Sequence, residues 1–364
     1  MRKPKAIALY SGGLDSALAI LVMMRHGVQV EAIRFSTPFI CNIYDSSSDD
    51  SDSYLSAKQL SFPIKVHRLG KKFVEIVKHP RHGYGKNLNP CIDCRLLMLR
   101  EAKDYMEMTG ADFIITGEVL GQRPMSQMRN TINLIDKKCG LGGRLVRPLS
   151  GKLFEPTLPE KEGLIKRDWL LDINGRSRKR QMQLADEFGL KEYTNPAGGC
   201  YLTDSIYCKK LKDLMMHTKN FDFNDINLLT AGRQFRLSEN CKLVVGRDEK
   251  ENDKLVSLIK DDDMIIEVLD VGSPIAALRG EVQVEDIELA AAIAARYSDA
   301  KYKDSVMVNV LDIAGSCISD KDNSSHSQSE FISSAAEQRD ISRRRSYDIT
   351  VKPADADTVD SVRI

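Results

Sequence analysis

The chain lacks several things that would have narrowed its function at once. No apolar run approaches the length of a membrane span, so the expectation is a protein that neither crosses nor sits in a bilayer. Charge of one sign is missing too: 53 basic against 52 acidic residues leave +1, so any polyanion must be met by a local patch and not by a global field. No signal peptide is recognisable, because Met1-Arg-Lys-Pro-Lys5 leads directly into an apolar strand-like run, and the cytoplasm is the expected compartment. In that setting the eight cysteines do not make a disulfide framework. Neither the Walker loop nor a G-x-G-x-x-G fingerprint occurs at the first turn, and no repeat or extended low-complexity tract is present.

What stands at that first turn is Ser11-Gly-Gly-Leu-Asp-Ser16, between Ala6-Ile-Ala-Leu-Tyr10 and the apolar segment Ala17–Met24. A short apolar run reads as a buried parallel strand and the longer segment as a helix. Two glycines and a serine allow a tight turn whose N–H groups face one point, and Ser16 opens a helix with a partly positive end. The combination is an anion cradle, and a nucleotide phosphate is its usual occupant. Strand-like and helix-like segments then alternate: Val28–Phe35, Tyr54–Leu60, Ile64–Leu69, Lys72–Lys78, Arg95–Met108 and Ala111–Thr116. Asp45–Ser53 reads as a solvated loop. This alternation predicts an α/β fold with a doubly wound parallel sheet, whose ligands lie beyond the carboxyl ends of its strands.

Asn89-Pro-Cys-Ile-Asp-Cys94 places two thiols at the start of a helix, where the dipole is expected to favour thiolate. They can share a metal, form a strained disulfide or hold part of an iron–sulfur cluster. A third thiol, Cys200, follows Gly198-Gly199, whereas Cys41, Cys139, Cys208, Cys241 and Cys317 have no ligand-like spacing. Thr116-Gly-Glu118 ends a strand and can face the same ligand as the first turn. Arg176, Arg178, Lys179 and Arg180 form the densest basic cluster of this half, a solvated face or a contact to an RNA backbone.

From Ser205 the character changes to α+β: strands at Leu228–Leu237, at Lys242–Val245 and at Met264–Leu269, and helices at Glu251–Ile259 and Val284–Tyr297. Val306–Leu311 and Tyr347–Lys352 read as the strands of a final hairpin around a mobile loop, Ser319–Arg345. Two domains are expected, 1–204 and 205–364.

The PP-loop Ser11–Ser16, Asn-Pro-Cys-x-x-Cys, Thr-Gly-Glu and the later Gly-Gly-Cys together resemble the tRNA-thiolation branch of the PP-loop ATP pyrophosphatases, the tRNA 2-thiouridylases and 4-thiouridine synthetases. Arg233-Gln-Phe-Arg236 and Val245–Asn252 resemble the RNA-associated domain of the NFACT proteins. The first resemblance implies the adenine-nucleotide α-hydrolase type of fold and ATP-dependent thiolation of a tRNA uridine. The carbonyl oxygen would be adenylated, pyrophosphate released, and sulfur would displace AMP. Ser11, Gly12, Gly13, Asp15 and Ser16 would hold the phosphates, with Asp15 near Mg2+; Gly117 and Glu118 would border the nucleotide. Cys91, Cys94 and Cys200 would hold a 4Fe–4S cluster or, alternatively, run persulfide chemistry, with sulfide or a persulfide carrier as donor. No THUMP-like or rhodanese-like region is recognisable, so tRNA docking is expected from Arg176–Arg180 and the C-terminal domain. An adenylating amidotransferase or ligase, a sulfur transferase acting on a small molecule, and a non-catalytic ATP-sensing RNA adaptor remain as alternatives.

Overall fold

The structure, a computed structural model, describes residues 2–39, 62–190, 200–313 and 345–364. Expectations for Asp45–Ser53, Tyr54–Leu60 and all but the last residue of Ser319–Arg345, with Cys41 and Cys317, lie outside the described residues. The chain divides into two compact units, Met1–Ser205 and Ile206–Ile364.

The first unit is built on a five-stranded parallel sheet: β1 (Lys5–Leu9), β2 (Gln29–Ser36), β3 (Ile64–Arg68), β4 (Phe113–Thr116) and β5 (Leu145–Val146), in the order β3-β2-β1-β4-β5. Its helices are α1 (Leu14–Arg25), α2 (Gly70–Lys78), α3 (Cys91–Thr109), α4 (Arg129–Lys138) and α5 (Lys179–Glu187). Central strands covered on both faces must be apolar along their whole length, and Ala6–Leu9 and Phe113–Thr116 are buried throughout. The edge strand β3 is mostly exposed and carries charge accordingly. α1 is apolar nearly all round because it is covered all round; Ser16–Met23 are buried, and Leu184 and Ala185 of α5 share its core. Each such fully buried Leu or Ile stabilises the fold by roughly 1.5–3 kcal/mol. The strand order turns back between β1 and β4, which opens a crevice at the carboxyl ends of those two strands.

The second unit is a six-stranded antiparallel sheet: β6 (Arg233–Arg236), β7 (Cys241–Val245), β8 (Met264–Val268), β9 (Ala276–Gly280), β10 (Val306–Asp312) and β11 (Arg345–Val351), in the order β11-β10-β8-β9-β7-β6. Around it lie α6 (Ser205–His217), α7 (Phe223–Leu228), α8 (Glu249–Ser257), α9 (Val284–Arg296) and α10 (Ala356–Ser361). The alanines of α9 pack closely on Leu243, Ile266, Leu278 and Val308. Val244, Ile265 and Ala277, which alternate with those residues, pack with Leu228 and Leu255. The expected strand from Leu228 is shorter than the sequence suggested. Leu228 ends α7, and Gly232 (φ +55) turns the chain so tightly that a Cβ there would lie 2.4 Å from the Val245 carbonyl oxygen. β10 and β11 pair antiparallel as the final hairpin required, whereas β9, an Ala- and Gly-containing run of low strand propensity, gave no signal.

Candidate functional site

The Ser11–Ser16 turn leaves β1 at its carboxyl end and enters α1 beside the crevice. Gly12 takes the left-handed conformation (φ +79) that a glycine adopts without strain. α1 begins at Leu14, two residues before the expected start, which makes Ser16 an internal brace. Its hydroxyl donates to the Gly13 carbonyl (2.7 Å), lies 3.2 Å from the Ser11 hydroxyl and accepts from the Ser11 amide (3.3 Å). The amides of Leu14, Asp15 and Ser16 open the helix and have no intrahelical acceptors. Gly117, at the end of β4, closes the turn from the other side. A Cβ there would sit 2.6 Å from the backbone of Asp15 and Ser16, so only glycine fits.

Asp15 carries the charge at this point. Its Oδ2 accepts from Gln122 Nε2 (2.7 Å) and lies 3.6 Å from Arg178 Nη2, while Gln181 Nε2 donates to Gln122 Oε1 (3.1 Å). Asp15 Oδ1 is buried with no hydrogen-bond partner. A buried carboxylate oxygen without a donor is costly unless a cation completes it, so the turn fits a phosphate with its divalent ion.

Glu118 behaves differently from its neighbour Gly117. It is 1% exposed, accepts from Arg147 Nε (2.9 Å) and the Thr116 hydroxyl (3.1 Å), and lies 3.1 Å from Arg95 Nε without hydrogen-bond geometry. Burial alone would raise its carboxyl; Arg95 and Arg147 outweigh that and hold it below the usual carboxylate range. Arg147 is paired onward to Asp136. Glu118 thus anchors an ion-pair cluster inside the unit.

Cys91 and Cys94 occupy the first turn of α3. Asp93 between them is buried and accepts from the His82 amide (2.9 Å) and from Nδ1 of the same histidine (2.8 Å), while Lys138 Nζ lies 2.9 Å from His82 Nε2. The segment ahead of the pair is stitched to the one after Cys200: Leu88 N donates to the Leu202 carbonyl (3.2 Å) and Asn87 Nδ2 to the Thr203 carbonyl (2.8 Å). Tyr201 N in turn donates to the Phe39 carbonyl, just past β2 (2.9 Å). The three cysteines therefore share one neighbourhood, and the charges of Cys200 and Cys91 both act on Cys94. The expected thiolate character is not what this geometry gives. Cys94 retains some solvent-facing surface, yet burial pushes its thiol up to about 12, and burial also raises Cys91 although Arg123 and Arg95 act against it. Desolvation outweighs the helix dipole at both positions. Among the described residues no three His, Cys, Asp or Glu side chains converge as a single metal ion requires. Three neighbouring thiols suit a larger polynuclear group, or thiol–disulfide chemistry, as a donor set.

The basic cluster is split. Arg178 is folded onto Asp15, whereas Arg176, Lys179 and Arg180 are exposed, the last 3.9 Å from Glu187. Gln122, Arg178 as a partner of Asp15, and the buried Arg147 were not assigned to this site from sequence. For Gln122 the available signal was its place in the polar run directly after β4. A cavity of about 450 Å³ lined by Lys3, Lys5, Met24, Gln29 and Glu31 opens at the amino ends of β1 and β2. That is the end of a parallel sheet where ligands are not expected.

Residues 2–153 match the family model described as thiamine biosynthesis protein (ThiI), and residues 232–331 match the NFACT protein RNA binding domain. Proteins named "Probable tRNA sulfurtransferase" from Methanosarcina mazei and Staphylococcus aureus are 31% identical over 130 residues and 32% identical over 122 residues. Each match takes in 32% of this chain, and the chain spans only 29% and 28% of the length of those relatives. A solved 4-thiouridine synthetase–RNA complex with bound ATP aligns at 20% identity over 54% of this chain and 45% of its own, with a TM-score of 0.33, too low to add to the fold comparison. The two-part resemblance read from the sequence is borne out by the family matches: the first unit is similar to the PP-loop sulfurtransferases and the second to the NFACT RNA-binding domain. No described helix is long and apolar enough to cross a membrane.

Proposed function

We propose that the chain thiolates a tRNA uridine at the expense of ATP. The observation that carries this reading is the convergence, at one end of the parallel sheet, of an anion-binding turn with an incompletely paired Asp15 and a neighbourhood of three cysteines. A pyrimidine carbonyl oxygen is a poor leaving group. In the proposed first step it attacks the α-phosphorus of ATP, pyrophosphate departs, and the oxygen becomes part of a phosphate ester. Ser11, Gly12, Gly13 and Ser16 hold the phosphates through turn amides and hydroxyls, and Asp15 holds the accompanying Mg2+. Gln122 and Arg178, already on Asp15, orient that carboxylate, and Arg178 brings positive charge to the leaving pyrophosphate. Gly117 permits the close approach that the cradle needs.

A sulfur nucleophile then attacks the ring carbon, and AMP leaves with the former carbonyl oxygen. With a persulfide on one cysteine, the terminal sulfur makes the new bond, a second cysteine attacks the inner sulfur, and the residual disulfide needs a reductant before the next turnover. With Cys91, Cys94 and Cys200 as ligands, a 4Fe–4S cluster would supply a fourth iron on which exogenous sulfide is held for transfer. The three-thiol count favours the cluster, because the persulfide route needs only two.

The test is release of pyrophosphate and formation of thiouridine, the latter read by nucleoside mass spectrometry, with ATP, Mg2+, tRNA and, in separate reactions, sulfide or a persulfide-loaded carrier with a thiol reductant, under anaerobic conditions. Wild type should produce both in equal amounts, and Cys91→Ala should lose thiouridine. Pyrophosphate release that ignores tRNA, with Cys91→Ala fully active, would point to a small-molecule ligase instead. Iron analysis of anaerobically purified protein against the Cys91→Ala, Cys94→Ala, Cys200→Ala variant separates the two sulfur routes: about four irons per chain, lost in the variant, marks the cluster.

A further inference from the structure

One connection touches both halves of the site. After Gly117 meets the Ser11–Ser16 turn, the chain runs on through Gln122, which donates to Asp15, and comes near the Cys91 thiol three residues later, at Met125. A Cβ on Gly85 would lie 3.7 Å from Cys91 Sγ and 3.7 Å from Met125 Cε, so the thiol and the methionine methyl border the same gap. The loop is pinned from behind. Gln127 is buried; its Oε1 accepts from the Arg123 amide (3.2 Å), and its backbone carbonyl accepts from the Gly121 amide (2.8 Å). Its outer side chains are turned to solvent: Arg123 is exposed, and Met125 is 50% exposed at φ +74, a left-handed conformation unusual for any residue with a Cβ. An exposed methionine held in strained backbone near a thiol of the site is poorly explained by packing, since it packs little, and strain of this kind concentrates where a ligand is gripped.

We propose that Met125 and Arg123 contact the acceptor nucleotide, the thioether lying against the face of the pyrimidine and the guanidinium on the adjoining phosphate. The reading rests on the thiolation function proposed above and names the residues that choose its acceptor. A base whose carbonyl oxygen is activated at the Ser11–Ser16 turn and whose ring carbon then receives sulfur near Cys91 has to occupy the space between them. Met125, near Cys91 and exposed, stands at the sulfur end of that space. A polarizable thioether suits an aromatic ring without demanding one edge pattern, and an arginine beside it suits a phosphate oxygen. Arg123 also acts electrostatically on Cys91, which places its charge at the thiol end of the loop.

Steady-state thiolation with tRNA and ATP varied separately tests this in Met125→Ala, Met125→Leu and Arg123→Gln. Met125→Ala should raise the KM for tRNA about tenfold, the scale of one lost base contact, with the KM for ATP unchanged. Met125→Leu, which restores bulk, should recover most of it. Arg123→Gln should raise the KM for tRNA and lessen its dependence on salt. Variants indistinguishable from an active wild type would overturn the assignment and leave the thiolation reading standing, as would a parallel rise in the KM for ATP, which would mean a disturbed Gln122–Asp15 contact. A wild type that releases no pyrophosphate with tRNA would remove both.

Discussion

At the scale of single residues, adjacent positions in one motif have separated. Gly117 and Glu118 were expected together at the nucleotide, yet Gly117 lies against the Asp15 and Ser16 backbone while Glu118 is buried under Arg147. Their substitutions should therefore be read by different instruments. Gly117→Ala forces a Cβ into the phosphate turn, and titration with ATP should show at least about a tenfold loss of affinity, the scale of a single disturbed contact. Arg147→Met leaves the Glu118 charge, in a dry environment, without the arginine that hydrogen-bonds it and should cost about 3–5 kcal/mol in urea denaturation. Glu118→Leu combined with Arg147→Met should recover much of that loss, because the charges then left without a partner, on Arg95 and Asp136, both reach solvent. A nucleotide defect without a stability defect in Arg147→Met would contradict the anchoring role. The glycine was legible because a turn has a recognisable grammar; the burial of a glutamate two residues past a strand has none, since it depends on arginines 23 residues before and 29 residues after it.

At the scale of elements, the alternation of apolar runs was enough to foresee the parallel sheet of the first unit and the location of the anion turn, because burial on both faces leaves a plain apolar signature. The antiparallel unit was less legible. β9 carries Ala276-Ala-Leu-Arg-Gly280, whose strand character comes from its neighbours and not from its own propensity. That strand also completes an arrangement invisible in one dimension: Arg236, Lys242 and Arg279 stand directly opposite one another on β6, β7 and β9. Like charges so placed repel. Arg236 is relieved by a two-point contact to Asp213 and Arg279 by one to Asp263, but Lys242 lies 3.8 Å from an Asp213 already engaged. Burial, only partly offset by Asp213 and reinforced by Arg236, Lys210 and Arg279, brings the Lys242 ammonium down to about 7. Above that pH the folded chain holds fewer protons at Lys242 than the unfolded chain, whose lysine titrates near 10.5. Stability should consequently rise with pH from about 7 towards 10, by on the order of 2 kcal/mol between about pH 6 and pH 9. Urea denaturation of wild type and Lys242→Met across that range checks it. The variant should lack this part of the pH dependence and exceed wild type most at the acid end; parallel curves would mean that Lys242 is charged in the fold.

At the scale of the whole molecule, a net charge of +1 means that a polynucleotide gains nothing from the average surface and depends on where cations are concentrated. Arg176, Arg178, Lys179 and Arg180 looked like one such concentration in sequence, and the turn into α5 divides them: Arg178, at the helix cap, faces Asp15 of the Ser11–Ser16 turn, and the other three face solvent. The division turns one basic run into two predictions of opposite kind. Replacing Arg176, Lys179 and Arg180 together by Gln should weaken tRNA binding and reduce the slope of log affinity against log salt by about 2–3, since each phosphate contact contributes roughly 0.7–0.9. The KM for ATP should not move. Arg178→Gln should do the reverse, weakening ATP binding while leaving the salt slope for tRNA as in wild type. If the triple replacement leaves the slope unchanged, the backbone contacts belong to other surfaces, and the second unit, similar to an NFACT RNA-binding domain, becomes the first place to look, through Arg233, Arg247 and Lys250 on its own sheet edge and helix start.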